Sequence, residues 1–158
     1  MKWTIWVPGL LFALGLAACG RAAGSTSLVP YPALNPAQVA LGRDAYVRNC
    51  ASCHGANAEG APNWATPGPD GLHPAPAHDD SGHTWHHPDR VLYETIRDGM
   101  SDPLHPGAPL RMPAFGGTLS DSEVQALIAY FKSLWSDERR LWQWNETVKD
   151  LGPTSSPP

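Results

Sequence analysis

The sequence is short of the residues that usually announce a scaffold. Of its 158 residues, 3 are cysteine and 3 are methionine, one of these being Met1. Three cysteines cannot build the disulfide framework of a small secreted domain, nor a zinc site made of two cysteine pairs. Charged residues make up only 16% of the chain, and the formal net charge is −4. No basic run is present, which excludes the electrostatic footprint of a nucleic-acid binder. No apolar stretch is both long and unbroken. Residues 3–18 are largely apolar, but Pro8 and Gly9 interrupt them, so they do not read as a permanent membrane span. What the chain has in quantity is backbone punctuation, with 15 glycines and 17 prolines. Much of it should therefore be loop.

Two of the three cysteines fall in Cys50-Ala51-Ser52-Cys53-His54. C-x-x-C-H is the pattern of covalent c-type haem attachment. Thiols three residues apart lie on one side of a helical turn, so one porphyrin edge can reach both. The histidine that follows can bring its imidazole under the iron as proximal ligand. A zinc module offers a rival reading. It would use Cys50 and Cys53 with two of His73, His78, His83, His86, His87 and His105, and counting residues leaves it open.

The third cysteine closes the apolar leader. Lys2 supplies a short positive start, and Leu16-Ala17-Ala18-Cys19 resembles the lipobox of bacterial lipoproteins, which are cut before the cysteine and acylated on it. Residues 1–18 then read as a signal peptide and 19–35 as an acylated cysteine and flexible tether. The tether's reach as a coil is about 20 Å. An ordinary signal peptide cut near Ala18, or an uncleaved anchor, remain as alternatives. Any of them supplies the export that c-type haem attachment requires, so an extracytoplasmic location is expected, and the lipid on Cys19 makes it membrane-anchored.

Residues 36–136 carry the haem domain. Asn35-Pro36 is a helix start, with Asn as N-cap and Pro at the first position. Val39, Ala40, Tyr46 and Val47 recur at roughly helical spacing up to Cys50. Gly42 within that helix suggests the close approach of another helix. Residues 55–82 have no apolar period and should form a long loop that lies against the porphyrin. An early loop carbonyl, near Pro62, is expected to take the proton of His54 Nδ1. His73 and His78 read as solvated. In Gly82-His83-Thr84-Trp85-His86-His87-Pro88, Trp85 is expected near the haem edge, in preference to a second metal on His83, His86 and His87. Pro88-Asp89 opens a helix through Asp98, closed by Gly99.

Met112, in Arg111-Met112-Pro113-Ala114-Phe115-Gly116-Gly117, is the preferred sixth ligand. Met100, just past a helix end, is the alternative. A thioether opposite an imidazole favours ferrous iron and raises the potential. Ser120 to Glu123 is a capping box. Val124, Leu127, Ile128, Phe131, Leu134 and Trp135 follow on one face of the final haem-domain helix. Residues 137–158 read as a partly disordered extension in which Leu141, Trp142 and Trp144 continue the helix or fold back.

From Asn35 to about Trp135 the chain resembles the class I c-type cytochromes. C-x-x-C-H after a first helix, Met-Pro in a late loop and an aromatic-bearing last helix carry the likeness. The resemblance implies an all-α fold of three or more helices around one covalent haem, with long loops. It implies thioether links at Cys50 and Cys53 and axial iron ligands at His54 and Met112. It also implies a crossing of the two terminal helices at Gly42 and Tyr46 against the Leu127–Phe131 turn. The expected role is a one-electron carrier, not an enzyme, that serves redox partner proteins and sits on the membrane through a lipid on Cys19. A haem enzyme or gas sensor with a displaceable sixth ligand, and a cytochrome subunit of an oxidase or dehydrogenase, are the alternatives.

Overall fold

A computed structural model describes Met1, Trp3, residues 31–101 and residues 111–152. The signal-peptide and Cys19 readings, His105 and the last six residues lie outside the described residues. The chain is all-α. Helix α1 spans Pro36–Asn49, α2 Ala51–His54, α3 Asp89–Asp98, α4 Asp121–Ser133 and α5 Asp137–Leu151. A 3₁₀ turn at Thr84–His86 precedes α3. Among the described residues the isolated bridge between Met100 and Met112 is the only β pairing, and no helix is long and apolar enough to cross a membrane.

The helix starts follow their local chemistry. Asn35 accepts the Ala37 N–H at 2.9 Å, satisfying one of the orphan donors of α1. At α4 the Ser120 and Glu123 side chains cap each other's backbone N–H groups. Gly99, at φ 76°, closes α3 in a conformation that a side chain disfavours.

Helices α1 and α4 cross at Gly42. A Cβ there would lie 1.9 Å from the Ala126 carbonyl oxygen and 2.9 Å from Tyr130 Cβ. The crossing is therefore backbone against backbone at Ala126, one residue before the expected Leu127–Phe131 turn, and it extends to Tyr130 within that turn. Tyr46, fully buried one turn on, meets the rings of Tyr130 at 5.3 Å and Phe131 at 6.0 Å. This choice of face turns Ala40 and Val47 to solvent, contrary to the apolar spacing, and buries Gly42, Ala45 and Tyr46. Helix α4 is buried on more than its one apolar stripe, because Ala126, Ala129 and Tyr130 are covered as well. Helices α1 and α3 pack on it, and α5 packs on the 3₁₀ turn and on α3.

Residues 137–151 form a full helix. Gln143, 1% exposed, sets its side-chain nitrogen 2.6 Å from Asp89 Oδ1 and 3.1 Å from the His87 carbonyl. The Thr147 hydroxyl accepts the Asp89 N–H at 3.1 Å. Pro88 has no side chain able to cap α3, so α5 caps it from outside. Tyr31 donates to Asp137 at 2.7 Å and lies under the Arg140 guanidinium at 4.4 Å. The stretch read as tether is thus held to α5 from Tyr31 onward.

Gly42→Ala should lower the stability of the haem-loaded protein by about 1–3 kcal/mol, because the Ala126 backbone cannot yield as a side chain would. Chemical denaturation against the parent measures this.

Candidate metal centre

The C-x-x-C-H motif continues directly from α1. The Cys50 N–H donates to the Tyr46 carbonyl at 2.8 Å, and the Cys53 and His54 N–H groups donate to the Cys50 carbonyl at 3.1 and 2.9 Å. These bonds wind the five residues into one turn. Cys50 is buried and Cys53 exposed, and neither is in a disulfide. Burial, with a smaller push from Cys53, raises the Cys50 thiol to about 11, so it carries its proton at neutral pH. The Tyr46 hydroxyl donates to the Gly55 carbonyl at 2.7 Å and pins the far end of the turn. Burial pushes the Tyr46 phenol well above its usual range, so it remains a donor.

His54 is buried, and its Nδ1 lies 2.8 Å from the Pro76 carbonyl oxygen. A carbonyl only accepts, so Nδ1 carries the proton and Nε2 keeps its lone pair. Burial lowers the imidazole's pKa, outweighing the opposing bond to Pro76. The ring is therefore neutral and ready to ligate. The acceptor is not near Pro62, as expected, but fourteen residues later. The loop doubles back through Ala61 N–H to the Ala75 carbonyl at 2.9 Å and His78 N–H to the Ala58 carbonyl at 2.8 Å. That return puts residues 75–78 beside His54.

His78 also departs from expectation. It is not solvated; its ring stacks on His54 with centroids 4.3 Å apart and on Phe131 at 4.4 Å. Desolvation first, then the neighbouring His54, pushes its pKa down to about 3. His73 is exposed, with Nδ1 3.0 Å from the Trp64 carbonyl. Trp85 is buried under α5. The Arg139 guanidinium lies 3.7 Å from its ring centroid, and its indole N–H donates to the Gly82 carbonyl at 2.9 Å. Arg139 and Trp142 of α5 both cover its ring, the latter edge-on at 5.4 Å. His83 and His87 approach within 5.5 Å, yet no three His, Cys, Asp or Glu side chains gather to hold a metal among the described residues.

The late loop separates the two methionines. Met100 and Met112 exchange backbone bonds of 3.0 and 3.3 Å. Met112 is partly buried against the core, whereas Met100 is 50% exposed. Phe115 and Gly116 N–H groups donate to the Ile96 and Arg97 carbonyls, which fastens the loop to the end of α3. Arg111 donates to the His73 carbonyl at 2.9 Å, tying it also to the 55–82 loop. Pro76, through its own carbonyl, and Arg111, through its bond to the His73 carbonyl, act here by contacts that no residue pattern signals.

A hollow of about 610 Å³ opens beside the motif, walled by Ser52, Cys53, Glu59, Pro62, Asn63 and Trp64. Its size suits a cofactor. It reaches Cys53, while His54 and Met112 stand outside its lining. A groove of about 470 Å³ on the other side, between α3, α4 and α5, contains no residue of the motif.

Five helices among the described residues, a C-x-x-C-H turn at the end of the first and a neutral imidazole whose Nε2 keeps its lone pair define an all-α c-type cytochrome of class I fold. The cytochrome c family model matches residues 39–135, more than half of the chain, and the chain belongs to that family. No curated protein and no solved structure matches it. Covalent haem c follows from the family, as does electron exchange with redox partner proteins. The two free thiols and the tautomer of His54 fit such a group.

Tyr46→Phe should cost about 1–2 kcal/mol, because the Gly55 carbonyl loses its donor. Equilibrium unfolding of the haem-loaded protein checks this.

Proposed function

We propose that the protein is a one-electron carrier in which Cys50 and Cys53 would hold the haem through thioethers and His54 and Met112 would supply the ligands of its iron. Bound haem supplies the ferric–ferrous couple. The observation that carries the reading is the 2.8 Å bond from His54 Nδ1 to the Pro76 carbonyl, which orients the ring and leaves Nε2 for metal. The inward packing of Met112, against the exposure of Met100, supports the thioether assignment. With His54 and Met112 both committed, neither substrate nor oxygen finds an open position. A neutral thioether favours the reduced state and raises the potential. His54 in the α2 turn and Met112 in a loop fastened to α3 are both braced, which keeps their movement small during transfer.

The chain further reads as an exported protein held outside the bacterial cytoplasmic membrane by acyl groups on Cys19. The motif Leu16-Ala17-Ala18-Cys19 and the extracytoplasmic attachment of c-type haem support this. More than one acyl chain is needed for a firm hold.

Met112→Ala should abolish the weak far-red charge-transfer band of Met-ligated ferric haem and lower the potential, while Met100→Ala should keep both. A visible spectrum with redox titration measures them, and the reverse pattern would move the ligand to Met100. Cys19→Ser should release the exported protein from membranes, scored by fractionation. Retention of that variant in the membrane fraction would point to an uncleaved anchor.

A further inference from the structure

We propose that His78 is a positioning residue for His54, setting the plane of the ligand imidazole. This rests on the reading of His54 as the proximal ligand. One hydrogen bond, from Nδ1 to the Pro76 carbonyl at 2.8 Å, fixes the tautomer of His54. A single bond at one ring edge still lets the ring rock about Cβ–Cγ. Such a rotation turns the ring plane while moving Nε2 little.

His78 lies against the face that would have to swing. Its ring is 4.3 Å from that of His54 with planes 28° apart, and Phe131 backs its other face at 4.4 Å and 28°. The three rings form a continuous stack from the motif to α4. Tyr46 closes the edge of His78 at 6.4 Å, nearly perpendicular.

The orientation of His78 is itself determined. The Thr84 hydroxyl gives its one proton to the Ala77 carbonyl at 3.3 Å. It can then only accept from His78 Nδ1, 2.8 Å away. The backbone is fastened at both ends. The His78 N–H donates to the Ala58 carbonyl at 2.8 Å, and its carbonyl accepts the Trp135 indole N–H at 2.7 Å. Pro76 and His78, two residues apart on one segment, therefore grip His54 by its edge and by its face. An aliphatic side chain would fill the same space without a flat surface or a tether to hold it at one angle. This is the physical use of a polar ring in an otherwise apolar layer, where its burial needs the Thr84 hydroxyl to satisfy it.

The test uses the mature haem protein with His78→Leu, His78→Phe and Thr84→Val. The readouts are the principal g-values of the ferric state and the NMR shift pattern of the haem methyls. Both report the plane of the axial imidazole and are indifferent to global stability. His78→Leu should redistribute the methyl shifts and change the g-value spread. Thr84→Val should move both in the same direction by less, and His78→Phe, which restores a flat ring, should return them toward the parent. Parental patterns in both His78→Leu and Thr84→Val overturn the proposal. So does a His78→Phe protein displaced as far as His78→Leu. Should His78→Leu fail to mature, the other two variants decide by the same readouts. His54→Ala separates this proposal from the reading beneath it. Loss of the low-spin spectrum in that variant, with parental patterns at His78 and Thr84, removes the positioning role and leaves the ligand assignment standing. An unchanged spectrum in His54→Ala overturns both.

Discussion

Gly42 has no side chain, and the carbonyl of Ala126 occupies the space where one would begin. That contact sets the angle and depth at which α1 meets α4. Tyr46 follows one turn later, inside the crossing, and its hydroxyl reaches the Gly55 carbonyl just past the C-x-x-C-H turn. The position of the C-x-x-C-H turn is thus inherited from a helix crossing some two turns away. Hydrogen bonds from the turn to the end of α1 make the inheritance rigid. A change at Gly42 would therefore be felt at His54, although the two residues share no contact.

The loop between residues 55 and 82 completes the site from the other direction. It has no periodic secondary structure, but it is not slack. Its two limbs are paired at Ala61 with Ala75 and at Ala58 with His78, and its tip is closed from Gly68 to Leu72. The returning limb delivers a carbonyl to the edge of His54 and a ring to its face. Phe131 and the Trp135 indole, both from the end of the α4 region, hold that limb in place. Arg111 adds a tie from the methionine loop to the same segment. The methionine loop and the segment beside His54 are thereby connected through the backbone of the 55–82 loop.

Helix α5 lies outside the stretch matched to the family, residues 39–135. It is nonetheless built into the domain. Asp89 is the junction: Lys132 of α4 pairs with it at 2.6 Å, and Gln143 of α5 reaches the other oxygen at the same distance. Thr147 supplies the cap that Pro88 cannot. Gln143 and Thr147 are buried and Asp89 and Lys132 partly so, and each of these polar groups is satisfied by the others. Through α3 the cap supports the helix end on which the Met100–Met112 bridge rests.

The sequence was informative wherever a local rule acts. Asn35-Pro36, the Ser120–Glu123 box and Gly99 each mark a helix boundary because capping depends on neighbours within a turn. The C-x-x-C-H turn is readable for the same reason. The face of α1 was harder to read, since its contact is made by Gly42 and Ala45, which contribute little apolar signal. Loop return and helix docking join groups far apart in the chain, through backbone carbonyls that every residue possesses. Sequence by itself therefore determined the family, the haem-bearing turn and the helix starts. Only the tertiary structure decided that Pro76 accepts from His54, that His78 stacks on it, and that α5 caps α3, because those outcomes depend on which distant segments meet.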